Sequence, residues 1–378
     1  MKDRAFVAVI VAALVLFLIT PAAFAFETKA KQMILIDTTT NTVLLEKNAD
    51  EKMPPSSMSK LMTLYMLFSR LKEGSTTLDR EYLVSEKAWR MGGSKMFIEV
   101  GKTIKVEDLI RGIIIVSGND ACIAVAEGIA GTEEAFAALM NDTAKKLGMN
   151  NSHFVNSTGW PDDNHYSTAR DLATLAQHLV NDFPEYYHYF KETSFTFNNI
   201  KQPNRNRLIE RDLGVDGLKT GHTEVAGYGI VLSSYDETAK RRLVLVINGL
   251  GNDNERVAEG YALLNHGTKN YQLATLTTAE TILDEAPVRY GSNNTVKLSA
   301  NREIKLTVPQ GKAANLRVSV EYNAPLTAPV AAGAEIGKVR VFLDKTELNS
   351  YPLFSKEAVT RANLFRRISQ TISYYLGA

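Results

Sequence analysis

Cysteine is nearly absent from this chain of 378 residues: Cys122 stands alone, so no intramolecular disulfide can form. The fold must rest on a packed core, and a chain of this length can bury one. Cys122 follows Asn119-Asp120-Ala121 in an apolar helical stretch, the setting of a small core residue rather than a nucleophile. Histidine is scarce too: six residues lie scattered without metal-like spacing, and no H-E-x-x-H or G-x-S-x-G occurs. Gly101-Lys102-Thr103 ends like a phosphate-binding loop, but Met96 stands where its first glycine belongs. No metal and no other cofactor is expected. An excess of one charge is missing as well. The 43 Lys and Arg against 42 Asp and Glu leave +1, and no basic stripe precedes the C-terminus, which argues against nucleic acid as a partner.

What is present begins with a leader. Lys2 and Arg4 precede the apolar run Phe6 to Ile19, and Pro21 and Ala23-Phe24-Ala25 follow it. The run is about 14 residues, short of the roughly 20 that span a bilayer. This pattern reads as a secretory signal over residues 1–25 with cleavage after Ala25, the alternative being an uncleaved anchor. Beyond it, Met33 to Asp37 and Thr42 to Glu46 read as a hairpin, and Pro54-Pro55 leads into a helix from Met58 to Leu71. Helices are expected over Val106 to Val116, Ala121 to Ala130, Glu133 to about Gly148 and Thr168 to Leu179. Strands follow over Gly227 to Ser233 and Arg241 to Val246, then a long helix from about Asn254. After Asp284 apolar and polar residues alternate, as at Val296, Leu298, Ile304, Leu306 and Val308, which predicts a small all-β module without chemistry of its own. At the end, Leu364, Phe365, Ile368, Ile372, Tyr375 and Leu376 project to one side of a helix. Asn363, Arg366, Arg367 and Gln370 project to the other. A basic amphipathic helix of this kind lies in a membrane interface, or else docks on the β module.

Three short motifs carry the chemistry, in one order: Ser57-Met58-Ser59-Lys60, Ser117-Gly118-Asn119 and Lys219-Thr220-Gly221. Singly they are weak. Ser69-Arg70-Leu71-Lys72 repeats the first pattern, and Ser292-Asn293-Asn294 and Ser299-Ala300-Asn301 repeat the second. Together they supply what acyl transfer through a serine requires: a nucleophile beside an amine base, a proton relay with an amide, and a carboxylate anchor. Ser57 and Lys60 are three apart, hence on one helix face. Lysine acts as a base once desolvation or a nearby cation lowers its pKa, and Lys219 is the candidate cation. The missing side chain at Gly221 would let a substrate backbone approach the strand.

The chain resembles the serine D-alanyl-D-alanine carboxypeptidases, the low-molecular-mass penicillin-binding proteins. Besides the motifs, Arg111-Gly112, Asn204-Arg205-Asn206, Val215-Asp216-Gly217, His222-Thr223 and Ala226-Gly227-Tyr228 carry the likeness over roughly residues 30–275. The resemblance implies an α+β fold of the serine β-lactamase and penicillin-binding-protein type. In it an antiparallel sheet has helices on both sides, with an all-helical half. The expected organisation is a signal over 1–25, a catalytic domain over 26–280, an all-β domain over 281–354 and an anchoring helix over 355–378. The resemblance also assigns roles. Ser57 attacks the penultimate D-alanine carbonyl of a peptidoglycan stem peptide, Lys60 takes its proton, Ser117 relays it, and Asn119 orients Lys60 and the substrate amide. Lys219, Thr220 and Gly221 hold the carboxylate end, and the backbone N–H groups of Ser57 and His222 form the oxyanion hole. Arg205 and Arg256 match arginines near the substrate carboxylate, with a structural ion pair as the alternative for each. β-Lactams would acylate Ser57, and the protein would sit at the periplasmic face of the cytoplasmic membrane. A D,D-endopeptidase, a β-lactamase or a silent cell-wall scaffold are the alternatives; the E-x-x-L-N of a class A β-lactamase is missing. At Thr158, in Asn156-Ser157-Thr158-Gly159-Trp160, some relatives carry a histidine instead.

Overall fold

Gln32–Asp37 (β1), buried along its whole length, pairs with Thr42–Lys47 (β2) as a hairpin, turned at Asn41 with φ 55°. The computed structural model describes residues 27–376, so the expected leader lies outside the described residues. After Pro54-Pro55 a single tight turn, Ser56–Ser59, opens the helix Lys60–Lys72 (α1), two residues later than its expected start. Glu81–Leu83 (β3) pairs with Thr103–Lys105 (β4), and the short helix Glu86–Arg90 (α2) lies between them. Val106–Ile114 (α3) and Asn119–Ala130 (α4) flank Ser117 as expected. Glu133–Lys146 (α5) and Ala169–Asp182 (α6) are each started by a threonine. Thr132 accepts from the Ala135 N–H and Thr168 from the Asp171 N–H. A small hairpin, Ser194–Phe197 (β5) with Ile200–Pro203 (β6), precedes the long strands Val215–Thr223 (β7), Gly227–Asp236 (β8) and Arg241–Leu250 (β9). Helix Asp253–Asn270 (α7), capped by Asn252, closes the unit.

The main sheet runs β2-β1-β9-β8-β7, antiparallel throughout, with β7 at an edge. Period-two alternation gives it two apolar faces. Val231, Val244 and Val246 join α1, α3, α4, α5 and α6 in a large core. Leu232, Leu243, Leu245 and Ile247 instead meet Leu263 and Leu264 of α7. Helix α7 can lie close because Gly260 and Gly267 face the sheet; a Cβ at Gly267 would sit 2.8 Å from Leu35. The sheet thus stands between one helix and an all-helical half, which is the α+β arrangement expected.

Strand Tyr271–Thr277 (β10) follows α7 directly and pairs with Ile304–Pro309, so the second unit's first strand lies ahead of the composition change near 284. Its own core includes Val296, Leu298, Val339, Val341 and Leu353. Helix Leu364–Leu376 (α8) ends the described chain; the side chains of Tyr375 and Leu376 lie outside the described residues. Its polar side meets the β unit: Arg366 Nη2 donates to Asn294 Oδ1 at 3.0 Å, and the Arg367 guanidinium lies over the Tyr290 ring. Leu364, Phe365, Ile368 and Ile372 remain 50–84% exposed. Among the described residues, no helix is long and apolar enough to cross a membrane.

Candidate active site

The tight turn Ser56–Ser59 sets Ser57 at the mouth of α1, half-buried, while Lys60 three residues on is fully enclosed. Lys60 Nζ donates to Ser57 Oγ at 2.9 Å and to the Thr158 carbonyl at 2.5 Å. Burial is the chief reason its pKa drops to about 8, and the Arg205 charge pushes the same way. An ammonium without water is costly, so the neutral, basic form gains. Lys219 is itself buried, and its pKa lies well below the usual lysine range, first through desolvation and then through Lys60 and Arg205.

Lys219 donates to Ser117 Oγ at 2.9 Å and to the Thr220 carbonyl at 3.1 Å. Two hydroxyl–amine pairs therefore face each other, Ser57 with Lys60 and Ser117 with Lys219. Ser117 adopts the left-handed conformation, φ 60°, between α3 and α4, a strained state that presents its hydroxyl to the site. A cavity of about 230 Å³ lies above the pairs, lined by Ser57, Ser94, Ser117, Arg205, Thr220, Gly221, His222, Tyr228 and Arg256. Arg205 is exposed over this cavity. Lys219 stands behind Ser117 rather than in the lining.

Other residues fall differently from expectation. Asn119 borders the site, yet its amide donates to the Gly92 carbonyl at 2.8 Å and not to Lys60. A Cβ at Gly221 would meet the Pro55 carbonyl at 3.0 Å and Met58 at 3.1 Å. Its missing side chain thus makes room for the nucleophile's own turn. Arg256, on α7, reaches the Gly221 and Gly229 carbonyls at 3.3 and 3.5 Å, pairs with Asp253 and lies over Tyr228. It combines the two readings, ion-paired and lining the cavity. The decoy Ser69 and Lys72 lie at the far end of α1, bonded to the Tyr65 and Asp182 carbonyls.

Two contributors carry no pattern of their own in sequence. The buried Asp120 carboxylate accepts the Met96, Phe97 and Ile98 N–H groups at 2.9–3.3 Å, holding that loop beside Ser94 and Ser117. Its place directly after Ser-Gly-Asn was the available signal. Gly159, at φ 78°, lets the Asn156–Trp160 loop touch the nucleophile's turn, since a Cβ there would meet the Ser56 carbonyl at 1.8 Å. That contact holds the Thr158 carbonyl against Lys60.

Comparison with known proteins decides the family. The D-alanyl-D-alanine carboxypeptidase family profile matches residues 19–252, and that of the penicillin-binding protein 5 C-terminal domain matches 271–361. The chain belongs to the D-alanyl-D-alanine carboxypeptidase family. As a carboxypeptidase of this family it is a serine hydrolase. It is 39% identical over 368 residues to D-alanyl-D-alanine carboxypeptidase DacC of Escherichia coli K12, covering 93% of this chain and 92% of that one. Penicillin binding protein 5 from Haemophilus influenzae superposes with a TM-score of 0.81 at 36% identity, over 89% of this carboxypeptidase and 98% of that chain. Penicillin-binding protein D2 from Listeria monocytogenes, in its ampicillin-bound form, superposes with a TM-score of 0.59 at 27% identity, over 65% and 99%.

Proposed function

We propose that this protein removes the terminal D-alanine from peptidoglycan stem peptides through an acyl-enzyme on Ser57. The observation that carries this reading is the pair of hydroxyl–amine contacts, Lys60 to Ser57 and Lys219 to Ser117, at one small cavity with cationic walls. Neutral Lys60 takes the Ser57 proton as Oγ attacks the penultimate D-alanine carbonyl. The peptide runs along the free edge of β7, and the carbonyl oxygen takes its charge between the Ser57 and His222 N–H groups. The terminal carboxylate lies between Thr220 and Arg205, with Arg256 bracing the strand behind. As the C–N bond breaks, the proton passes through Ser117, held by Lys219, to the departing amine. Water then hydrolyses the acyl-enzyme, releasing the shortened peptide and restoring the Ser57 hydroxyl. β-Lactams acylate the same serine and leave slowly.

The reading extends to location. The leader over 1–25 directs export with cleavage after Ala25, and α8 attaches the mature protein to the outer face of the cytoplasmic membrane. The exposed Leu364, Phe365, Ile368 and Ile372 support this, because a helix docked to hide its apolar side would bury them. The test is D-alanine release from a diacyl-L-Lys-D-Ala-D-Ala peptide, with Ser57→Ala as control and penicillin as competitor. Release that needs Ser57 and stops with penicillin supports the carboxypeptidase. Penicillin labelling without release points to cross-linked substrates or to a scaffold.

A further inference from the structure

Two glutamates open α5, and only one of them stands where a helix end alone would put it. Both Glu133 and Glu134 suit the positive dipole of that end. Glu134 points into solvent, its side chain 76% exposed. Glu133 is turned inward and buried. A carboxylate loses its hydration there, so its burial calls for strong partners. Glu133 Oε1 accepts the Ser157 N–H at 3.0 Å and the Ser157 hydroxyl at 2.7 Å, and Oε2 meets Lys87 Nζ of α2 at 3.0 Å.

Ser157 carries this grip to the base. Its carbonyl accepts from the buried Thr63 hydroxyl at 2.7 Å, and the next carbonyl, that of Thr158, accepts from Lys60 Nζ. Lys60 and Thr63 lie one turn apart on α1. The segment is therefore held from two sides: α5 takes the Ser157 N–H, and α1 takes the two carbonyls that follow. The carboxylate also acts through its charge. Burial lowers the Lys60 pKa to about 8, and Glu133 pulls it back toward the ordinary lysine value. From α4, Asp120 acts in the same sense, while the Cys122 thiol stays neutral because burial lifts its pKa to about 12. Arg205 opposes them, and the buried Lys219 of β7 and His165 complete the set of groups around Lys60. Among these groups only Glu133 is tied to an exposed partner, Lys87, through which its charge can be altered from outside the site.

We infer that Glu133 is a positioning residue for the Lys60 base of the carboxypeptidase reading, on which this rests: through Ser157 it holds the Thr158 carbonyl against Lys60, and its charge, offset by Lys87, governs how firmly Lys60 keeps its proton.

The test is the pH profile of penicillin acylation in the full chain, from about pH 6 to pH 10, compared between variants. Glu133→Gln keeps an acceptor for Ser157 and removes the charge, so the limb near 8 should move down by about half a unit. Lys87→Met removes the counter-charge instead, and should move the limb up by about as much. Glu134→Gln, in solvent beside the same lysine, should leave it in place. Ser157→Ala keeps the charge but loses the hydroxyl contact, so the plateau should fall about fivefold while the limb stays. A merely structural role would slow acylation in both charge variants without driving the limb in opposite directions. A limb unmoved in both, or moved the same way by both, would overturn the inference, as would an unchanged plateau in Ser157→Ala. If Glu133→Gln does not fold, Lys87→Met decides alone: an upward shift supports the inference and an unmoved limb overturns it. A parent enzyme with no limb in this range would show a different failure. Lys60 would then not be the base, and Glu133 would have no base to position.

Discussion

At the scale of single residues, the site is two buried amines whose charge burial has made conditional. With its pKa near 8, Lys60 is largely protonated at neutral pH and gains base character as pH rises. Penicillin acylation measured from about pH 6 to pH 10 should climb through a limb near 8 and level off above it. Because the Arg205 charge helps lower Lys60, Arg205→Gln should move that limb to higher pH; an unmoved limb would remove Arg205 from the site's electrostatics. His165 offers a stability counterpart. It is buried, its Nδ1 accepts the Val155 N–H, and its Nε2 therefore donates to Ser59 Oγ at 2.8 Å. Burial lowers its pKa to about 4, below the usual 6.5. The unfolded chain binds the proton first, so stability is lost as pH falls from about 6.5 and stops falling below about 4. The loss amounts to about 3 kcal/mol. Denaturant midpoints across that window check it, and His165→Gln should flatten the dependence. The contact of Ser57 with Lys60 was foreshadowed by their spacing of three on a helix turn, and the order of the motifs by the cavity that Ser57 shares with Ser117, while their roles rest on the resemblance. The standing of Lys219 behind Ser117, and the depth to which both amines are buried, were not legible. Both depend on how the core closes around these side chains.

Elements show the same division. The β1–β2 hairpin followed from two apolar runs around a Thr-Thr-Thr-Asn turn, and α3 and α4 from the apolar segments that flank Ser117. The Asn156–Trp160 loop has no periodicity, and its importance lies in one contact between distant segments. Gly159→Ala places a Cβ in the left-handed region and into the Ser56 carbonyl. The variant should lose more than about 2 kcal/mol of stability and displace the Thr158 carbonyl from Lys60, so acylation should fall with it. A variant as stable and as active as the parent would mean that the loop does not hold the nucleophile's turn. Helix α8 is the opposite case: its stripe was plain in sequence, but only its setting showed which side faces outward. Deleting residues from 364 onward should abolish binding to anionic vesicles and leave peptide turnover intact. Unchanged vesicle binding would place the attachment elsewhere.

In the whole molecule, the catalytic and β units share a buried polar joint. Asp37, at the end of β1, is fully buried and accepts from Arg241 Nε and, at 2.6 Å, from Thr307 Oγ1 of the β unit. Thr307 also touches Thr40 Oγ1 at 2.8 Å, and Arg241 reaches the Gly267 and Tyr271 carbonyls where α7 passes into β10. No sequence pattern announces this joint, because its members lie some 270 positions apart and are ordinary where they stand. Its energetics separate two variants. Asp37→Ala leaves the Arg241 cation buried without its partner, which should cost about 3–5 kcal/mol. Thr307→Val removes one neutral hydroxyl and should cost only about 1 kcal/mol. If the joint couples the units, calorimetry should show one unfolding transition in the parent and in Thr307→Val, and two in Asp37→Ala, with the β unit melting apart from the catalytic one. A single transition in Asp37→Ala would mean that the β10 connection and the surrounding apolar contacts hold the units together without the ion pair. Penicillin acylation should be unaltered by Thr307→Val, since the joint sits on β1 and β9, with β8 between them and the β7 edge.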